Sequence, residues 1–396
     1  MGVVVLLWLV GATGLAFGFN AFLRGREDLI GADAPAIEVT KIVLTLVGVV
    51  GAVFAGVYAY RKQRLEEGAS HRADAAAFAD RYNSASGQLG HEKAAVRLAG
   101  VYAMARLADD WPEQQQVCID VLCAYLRMPV KEDDPPPGEA EVRATVVSVI
   151  RAHLLASASA PASWSDKNFD FTGASLHNAT FRDAIFAGEM TSFDEAHFTG
   201  ETTSFFRTYF TGETSFDRAQ FTSHGTVFGA RFSGMLASFV GAQFASELTW
   251  FRGARFASAL TLFDRAWFAS AMTRLDGAHF TGEATSFDGA QFTGATTWFD
   301  GAQFTSKKTS FDSAHFTGAR TSFDGAEFTG KTISFDKAVW DRVQVTFDNV
   351  TIGPDIQFAG LDGPSLTNGA TITTNGQPFT GQSTRPNLEQ SGTETE

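Results

Sequence analysis

The stretch from Phe239 to Phe347 repeats one 12-residue unit, Thr-Ser-Phe-Asp-Gly-Ala-x-Phe-Thr-Gly-x-x, and residues 285–296 give it as TSFDGAQFTGAT. Large apolar residues recur every 12 positions in a first row, and a second row follows five residues behind it. The first row is Phe239, Phe251, Phe263, Leu275, Phe287, Phe299, Phe311, Phe323, Phe335 and Phe347. Self-similarity at a fixed period predicts a solenoid, in which each repeat packs on its neighbours.

The phenylalanines are expected to form the structural core of this solenoid. Of the 37 phenylalanines, 30 lie between Trp164 and Val350. A phenylalanine buries a large area, and rings one repeat apart can stack. Glycine after aspartate permits the backbone of a corner. Threonine and serine suit flat outward faces, where they can form hydroxyl ladders.

A five-residue period precedes the 12-residue one. Large apolar residues lie five apart, and an alanine stands two positions before each of the last three: Phe171, Leu176, Phe181, Phe186, with Ala174, Ala179, Ala184. This register resembles the pentapeptide-repeat family. The helical segment Gly90–Met104 also resembles the segment that precedes the repeats in many bacterial members. The resemblance covers roughly residues 75–350 and implies a right-handed quadrilateral β-helix, but it implies little about activity.

The 12-residue unit is interpreted as two pentapeptides with two extra residues, so two units make one coil of about 24 residues. Phe169–Asp348 then spans about 7.5 coils, which gives a rod of roughly 36 Å at the usual strand spacing. The alternative is a flatter, two-sided coil made of a single unit, whose interior would be crowded by two phenylalanines. The predicted fold class is therefore mainly β, a quadrilateral β-helix.

One irregularity suggests a contact site. The distances Phe210–Phe216 and Phe221–Val227 are six residues, one short of the regular value. Val227 keeps a spacing of five to Phe232, so Val227 is expected to point inward. This places Phe228 in the slot that aspartate occupies elsewhere, and an outward aromatic there could mark an interaction surface; the alternative is local drift of the repeat.

An aspartate follows most inward residues of the first row, and members 24 apart are expected to form two acidic columns. The possible interaction surface comprises Asp264, Asp276, Asp288, Asp300, Asp312, Asp324 and Asp336, together with Phe228. Carboxylate columns could imitate a phosphate backbone, as in family members that act on DNA topoisomerases. The alternative, which we favour, is that each aspartate hydrogen-bonds its own corner.

The segment before the repeats is predicted to be helical. Apolar stripes indicate helices over residues 94–107, 113–126 and 140–155, the first two forming an antiparallel hairpin, with a proline-rich linker at 131–141. Cys118 and Cys123 are the only cysteines, which excludes a disulfide framework, and we expect both to be buried. These helices are expected to cover one end of the solenoid.

Two long uncharged runs predict membrane helices at about residues 2–23 and 42–60, with a short loop between them. The alternative for the first run is a signal peptide. Three basic residues lie in the loop and four follow the second run, at Arg61, Lys62, Arg64 and Arg72. This bias favours a cytoplasmic C-terminal domain on a plasma-membrane protein with two spans.

The predicted domains are therefore 1–64 (two membrane helices), 65–163 (helical region), 164–350 (β-helix) and 351–396 (cap and tail).

The net charge of −13 argues against direct binding of nucleic acid. No residue pattern indicates a catalytic site, a cofactor or a metal site. The sequence favours a non-enzymatic, membrane-anchored scaffold for an unknown protein partner, with a DNA-mimicking topoisomerase regulator as the alternative. It does not indicate an oligomeric state.

Overall fold

The computed structural model describes residues 36–130, 135–155 and 162–353, the segments 357–359, 365–367, 371–374 and 377–378, and single residues between 11 and 25. The chain divides into two compact units, residues 1–80 and 81–396. The described helices are α1 (Ala36–Leu89), α2 (Ala94–Asp110), a 3-10 turn (Pro112–Gln114), α3 (Gln115–Arg127) and α4 (Glu139–Leu154). Helix α4 starts within the predicted linker, directly after Gly138, where a positive φ of 71° and the nearby Ala94 side chain, 2.7 Å from the place of a Cβ, favour glycine.

The two expected membrane spans are not shown by the structure. Residues 2–23 fall largely outside the described residues, whereas residues 42–60 belong to α1, which continues without a break into the charged segment after Tyr60. Within the described part of the chain, no helix has the length and apolar character needed to cross a membrane.

Residues 169–378 contribute strands to four sheets, which the chain visits in the order A, B, C, D. Sheet A contains β1 (Phe169–Asp170), β4 (Met190–Ser192), β8 (Glu213–Ser215), β12 (Leu236–Ser238), β16 (Leu260–Leu262), β20 (Ala284–Ser286), β24 (Lys308–Ser310), β28 (Thr332–Ser334) and β32 (Gln357–Ala359). Sheet B contains β2 (Ser175–His177), β5 (His197–Thr199), β9 (Gln220–Phe221), β13 (Gln243–Phe244), β17 (Trp267–Phe268), β21 (Gln291–Phe292), β25 (His315–Phe316), β29 (Val339–Asp341) and β33 (Ser365–Thr367). Sheet C contains β6 (Thr202–Ser204), β10 (Gly225–Val227), β14 (Leu248–Trp250), β18 (Met272–Arg274), β22 (Thr296–Trp298), β26 (Arg320–Ser322), β30 (Gln344–Thr346), β34 (Thr371–Thr374) and β35 (Gln377–Pro378). Sheet D contains β3 (Ile185–Phe186), β7 (Tyr209–Phe210), β11 (Arg231–Phe232), β15 (Arg255–Phe256), β19 (His279–Phe280), β23 (Gln303–Phe304), β27 (Glu327–Phe328) and β31 (Thr351–Ile352).

Strand pairing establishes the predicted coil of two repeat units. In the regular part of the solenoid, each strand pairs in parallel with the strand two units further on, as Phe244 does with Phe268. The sheets of nine and eight described strands correspond to about eight turns. The two-sided coil made of a single unit is therefore wrong, because equivalent residues of successive units lie on opposite sheets. The right-handed sense of winding stays a prediction.

Stacked rings fill the interior, as the two apolar rows predicted. The phenylalanines of the structural core are fully buried: Phe239, Phe251, Phe263, Phe287, Phe299, Phe311, Phe323 and Phe335. Rings one coil apart stack nearly parallel, with centroids 4.6 Å apart for Phe299 and Phe323, and rings of the two rows meet edge to face, as Phe304 and Phe311 do. This spacing is close to the distance between strands, so the backbone hydrogen bonds and the ring stack reinforce one another.

The threonine before the first-row phenylalanine is not on an outward face, which corrects part of the sequence-based expectation, whereas the threonine after the second-row phenylalanine, such as Thr293, is exposed as expected. The middle residue of the three-residue strands in sheets A and C points inward, and Thr249, Thr273 and Thr285 are buried. Several of these hydroxyls pair with a serine 20 or 21 residues further on, as Thr226 does with Ser246 at 2.8 Å. A ring of buried hydroxyls therefore accompanies the aromatic core.

The helices of the second unit cover the first coil, as expected. Gln116 on α3 donates from Nε2 to the carbonyl of Asn168 and accepts from its amide, at 2.8 and 3.0 Å, and thereby satisfies the exposed end of sheet A. Trp164 is fully buried, stacks on His153 at 3.9 Å, and donates to Asp109. Unpaired strand ends invite association with other chains, and this packing protects them.

A buried charged cluster joins the helices. Glu139 at the start of α4 accepts hydrogen bonds from Arg143 and from the Tyr125 hydroxyl, both at 2.8 Å, and lies 3.4 Å from Arg97. Burial and the bond to Glu139 raise the pKa of Tyr125 to about 12. The guanidinium of Arg97 also donates to the carbonyl of Pro137, which fixes the chain before α4.

The coil continues beyond Val350, where the sequence rhythm fades. Strands β31 to β34 each pair in parallel with the strand of the preceding coil, and Phe358 pairs with Ile333. Strand β35 then pairs antiparallel with β34. These strands form a further coil where the sequence predicts a cap. Residues 379–396 lie outside the described residues.

Candidate interaction surface

The predicted acidic columns lie at two corners of the solenoid. Asp264, Asp288, Asp312 and Asp336 stack at the corner between sheets A and B, and Asp276, Asp300 and Asp324 stack at the corner between sheets C and D. The residue after each of them adopts a positive φ, from 55° at Arg265 to 68° at Gly325, which turns the corner. The sequence predicted both the columns and the role of the glycine.

The aspartates bind the neighbouring coil and not their own corner, which corrects the expected hydrogen bonding. Asp288 Oδ1 accepts from the amide of Asp312, one coil further on, at 3.1 Å, and from the hydroxyl of Ser310. Asp300 accepts in the same way from Asp324 and Ser322. The carboxylates of Asp288 and Asp300 are therefore half-buried and already hold two donors each, whereas Asp336 is exposed.

Two members of the columns differ from the rest. Asp276 forms ion pairs with Arg252 at 3.0 Å and with Arg274 at 2.8 Å. Arg252 occupies the aspartate slot of the preceding coil, so opposite charges meet there in the column. Burial raises the pKa of Asp300, and the charge of Asp324 adds to this, whereas the hydrogen bond from Ser322 opposes it.

The prediction that Phe228 points outward is wrong. Its ring is fully buried and stacks on Phe251 at 4.8 Å, while Val227 ends β10 and is half-buried. The corner between Phe228 and Phe232 is one residue shorter than in the regular repeat, since these two residues are four apart instead of five. The prediction assumed a spacing of five and therefore chose Val227 as the inward residue. The outward aromatics of this region are Phe206, whose ring lies beneath the guanidinium of Arg182 at 4.9 Å, and Tyr209.

An aromatic patch on sheet C was not predicted. The third residue of the sheet C strands is small in the coils towards the two ends, and of these residues Ser322 is fully buried: Ser204, Val227, Ser322 and Thr346. In three successive coils between them this position holds Trp250, Arg274 and Trp298, which are register partners. The break in the column of small residues at 24-residue spacing is the sequence signal that could have revealed it.

The guanidinium of Arg274 lies between the two tryptophan rings, 6.0 Å from the centroid of Trp250 and 5.3 Å from that of Trp298. Its bond to Asp276 holds it in place. The first positions of the same strands carry Leu248 and Met272, and Met272 is 38% exposed. We define these five residues, Leu248, Trp250, Met272, Arg274 and Trp298, as the sheet C patch. Tryptophan and arginine are the residues that most often dominate binding at protein interfaces.

Among the described residues, no three of the types histidine, cysteine, aspartate and glutamate are grouped so that they could hold a metal ion. Cys118 and Cys123 are buried as expected, and burial raises the pKa of Cys118 to about 11. A groove of about 310 Å³ separates α4 from the first coil and is lined partly by Glu141, Arg151 and His177.

No known protein family, no curated protein and no solved structure matches this chain. The β-solenoid with its 24-residue coils and stacked phenylalanines is consistent with a pentapeptide-repeat protein.

Proposed function

We propose that this chain is a non-enzymatic interaction scaffold that binds a protein partner through the sheet C patch. The observation that carries the proposal is the Trp250–Arg274–Trp298 column, which replaces the small residues found elsewhere at this position. Apolar and aromatic side chains that gather in one surface patch mark an association site; here Met272 is exposed, and Trp250 and Trp298 are half-buried. The stacked core behind it gives a rigid platform, because packed rings occupy the inward corner positions.

The proposal includes attachment to the plasma membrane through the N-terminal segment, with the solenoid on the cytoplasmic side. Two observations support attachment. Residues 2–23 and 42–60 contain no charged side chain. Large apolar side chains on α1, among them Leu44, Val53 and Phe54, are exposed in the isolated chain and need an apolar environment. The excess of basic residues after Tyr60 supports the orientation.

Site-specific photo-crosslinking in cells that produce the protein tests the scaffold function. A photoreactive phenylalanine analogue at Met272, within the sheet C patch, is expected to give a discrete crosslinked product. The matched control places the analogue at Gln291, which is exposed on sheet B. The product at 272 is expected to disappear when Trp250 and Trp298 are both replaced by serine. Identical products at both positions, or a product that survives these replacements, would contradict the proposal.

The alternative function, a DNA mimic that inhibits a type II topoisomerase, draws less support from the acidic columns. The carboxylates of Asp288 and Asp300 are half-buried and accept hydrogen bonds from the next coil, and Asp276 is neutralised by Arg252 and Arg274. A phosphate-like surface needs carboxylates that are free to meet the basic groups of the enzyme. Inhibition of gyrase supercoiling by the purified chain, lost on replacement of Asp336, would favour this alternative over the scaffold.

A further inference from the structure

The outward column of sheet D contains two arginines in direct succession. Arg231 and Arg255 are register partners on neighbouring strands, both are exposed, and His279 follows in the same column. Neither arginine forms an ion pair with a described carboxylate, although Arg231 lies over the ring of Tyr209 at 5.3 Å. Like charges side by side on a sheet are unfavourable, so this arrangement calls for an anion outside the chain.

The edge beside this column carries exposed apolar side chains. We define the D–A edge as the connections between sheet D strands and the sheet A strands that follow them. Met235 protrudes there with 67% of its surface exposed, and Leu260 on the adjoining strand is 43% exposed. Leu236 and Leu260 are register partners, so the apolar side chains lie in neighbouring coils next to the two arginines.

Further basic residues extend this edge towards the C-terminal coils. Lys308 lies in the column of Leu260, two coils on, and Lys331 precedes β28. Neither lysine pairs with a described carboxylate, and Glu283, the acid nearest along the edge, is bound by Lys307 at 2.6 Å. Glu189 and Glu213 lie on the same edge in the first coils, and Glu327 lies in the outward column of sheet D in the coil of Lys331. Basic residues at the aspartate corners and on sheet C often pair with a carboxylate, as Arg252 and Arg274 do with Asp276, whereas Arg231, Arg255, Lys308 and Lys331 form no ion pair with a described carboxylate.

We propose that the D–A edge docks on an anionic membrane surface. Basic side chains are attracted to anionic lipid headgroups, and apolar side chains that protrude beside them can enter the interface. Arg231, Arg255, Lys308 and Lys331 supply the first element, and Met235 and Leu260 supply the second. The docking surface goes beyond the proposed function, since it lies on a different side of the solenoid from the sheet C patch and uses no residue of the N-terminal segment.

The test places an environment-sensitive fluorophore on the D–A edge of the full chain. The two native cysteines are buried with raised thiol pKa, so an introduced cysteine reacts selectively. Met235→Cys provides the label, and Gln291→Cys on sheet B provides the matched control. Each labelled chain is mixed with vesicles of phosphatidylcholine alone or with added phosphatidylglycerol. The fluorescence emission of the label at position 235 is expected to shift to the blue only with vesicles that contain phosphatidylglycerol. The emission of the label at position 291 is expected to stay unchanged.

Replacing Arg231 and Arg255 by glutamine is expected to weaken this contact by about 25-fold, since each basic residue near an anionic surface contributes about fivefold. Replacing both by lysine keeps the charge and is expected to preserve most of the contact, which controls for folding. If the fluorophore at position 235 showed no blue shift with vesicles that contain phosphatidylglycerol, the proposal would be overturned, even if the chain were bound through its N-terminal segment. A label that shifts only with poly-glutamate would overturn it in favour of an acidic protein. Neither outcome affects crosslinking at Met272.

Discussion

Thr249 and Ser270, 21 residues apart, share a buried hydrogen bond of 2.7 Å between their hydroxyl groups. The same pairing joins Thr285 to Ser306. Thr261, Thr273 and Thr309 have buried hydroxyls without a partner, and the residues 21 positions after them are Gly282, Gly294 and Gly330. The unpaired state of Ser258 has the same origin, because Ala237 stands 21 positions before it. The hydroxyl network is therefore complete only where the repeat supplies both members.

This relationship predicts opposite effects for two identical substitutions. Thr273→Val replaces an unpartnered hydroxyl by a methyl group of similar size, so we expect the free energy of unfolding to rise by up to about 1 kcal/mol. Thr249→Val deletes a partner of Ser270 and is expected to lower it by about 1–2 kcal/mol. Urea unfolding followed by circular dichroism measures both. A loss of stability in Thr273→Val equal to that in Thr249→Val would contradict the pairing rule.

The stacked core predicts a large effect of truncation. Phe299 is fully buried between neighbouring rings, so Phe299→Ala is expected to lower the free energy of unfolding by about 3–5 kcal/mol through lost burial and a cavity. Phe206→Ala is the control, because the Phe206 ring is 37% exposed on the outside of the coil, and we expect a loss of about 1 kcal/mol or less. Equal losses for the two variants in urea unfolding would refute the distinction between inward and outward phenylalanines.

The period of the repeat explains which features could be predicted from the sequence. The rows of Phe239 and Phe244 follow from spacing alone, whereas the coil of two units and the aspartate columns also needed the resemblance to pentapeptide repeats. Spacing could not tell that the shortened unit loses its residue after Phe228, because this depends on which ring fits the stack. It also could not tell that Thr249 points inward, because threonine suits either side of a strand. The sheet C patch becomes visible only when positions are compared across full coils.

The buried cluster at the start of α4 predicts a second site of large destabilisation. Glu139→Gln removes the charge that Arg97 and Arg143 share, and leaving buried charges without a partner costs about 3–5 kcal/mol. Glu141→Gln is the matched control, since Glu141 is exposed on the same helix, and a change within about 0.5 kcal/mol is expected. The unfolding midpoint in urea is the measurement, and equal midpoints for the two variants would show that the cluster does not stabilise the helices.

Asp300 predicts a pH dependence that is set by burial within its column. Its pKa is raised in the folded chain, so the folded state binds this proton more tightly than the unfolded state does. The resulting stability is fully present below the unfolded pKa of about 3.9 and is lost as the pH rises through the folded pKa.

Asp300→Asn keeps the oxygen that accepts from Ser322 and Asp324 but carries no charge. We therefore expect the stability of Asp300→Asn relative to the native chain to increase between pH 3 and pH 7. Asp300→Ala, which also removes the acceptor, is expected to be less stable than Asp300→Asn at both values. Urea unfolding of the three chains at each pH measures the differences, and a relative stability of Asp300→Asn that falls with rising pH would mean that the carboxylate is favoured, not opposed, by its surroundings.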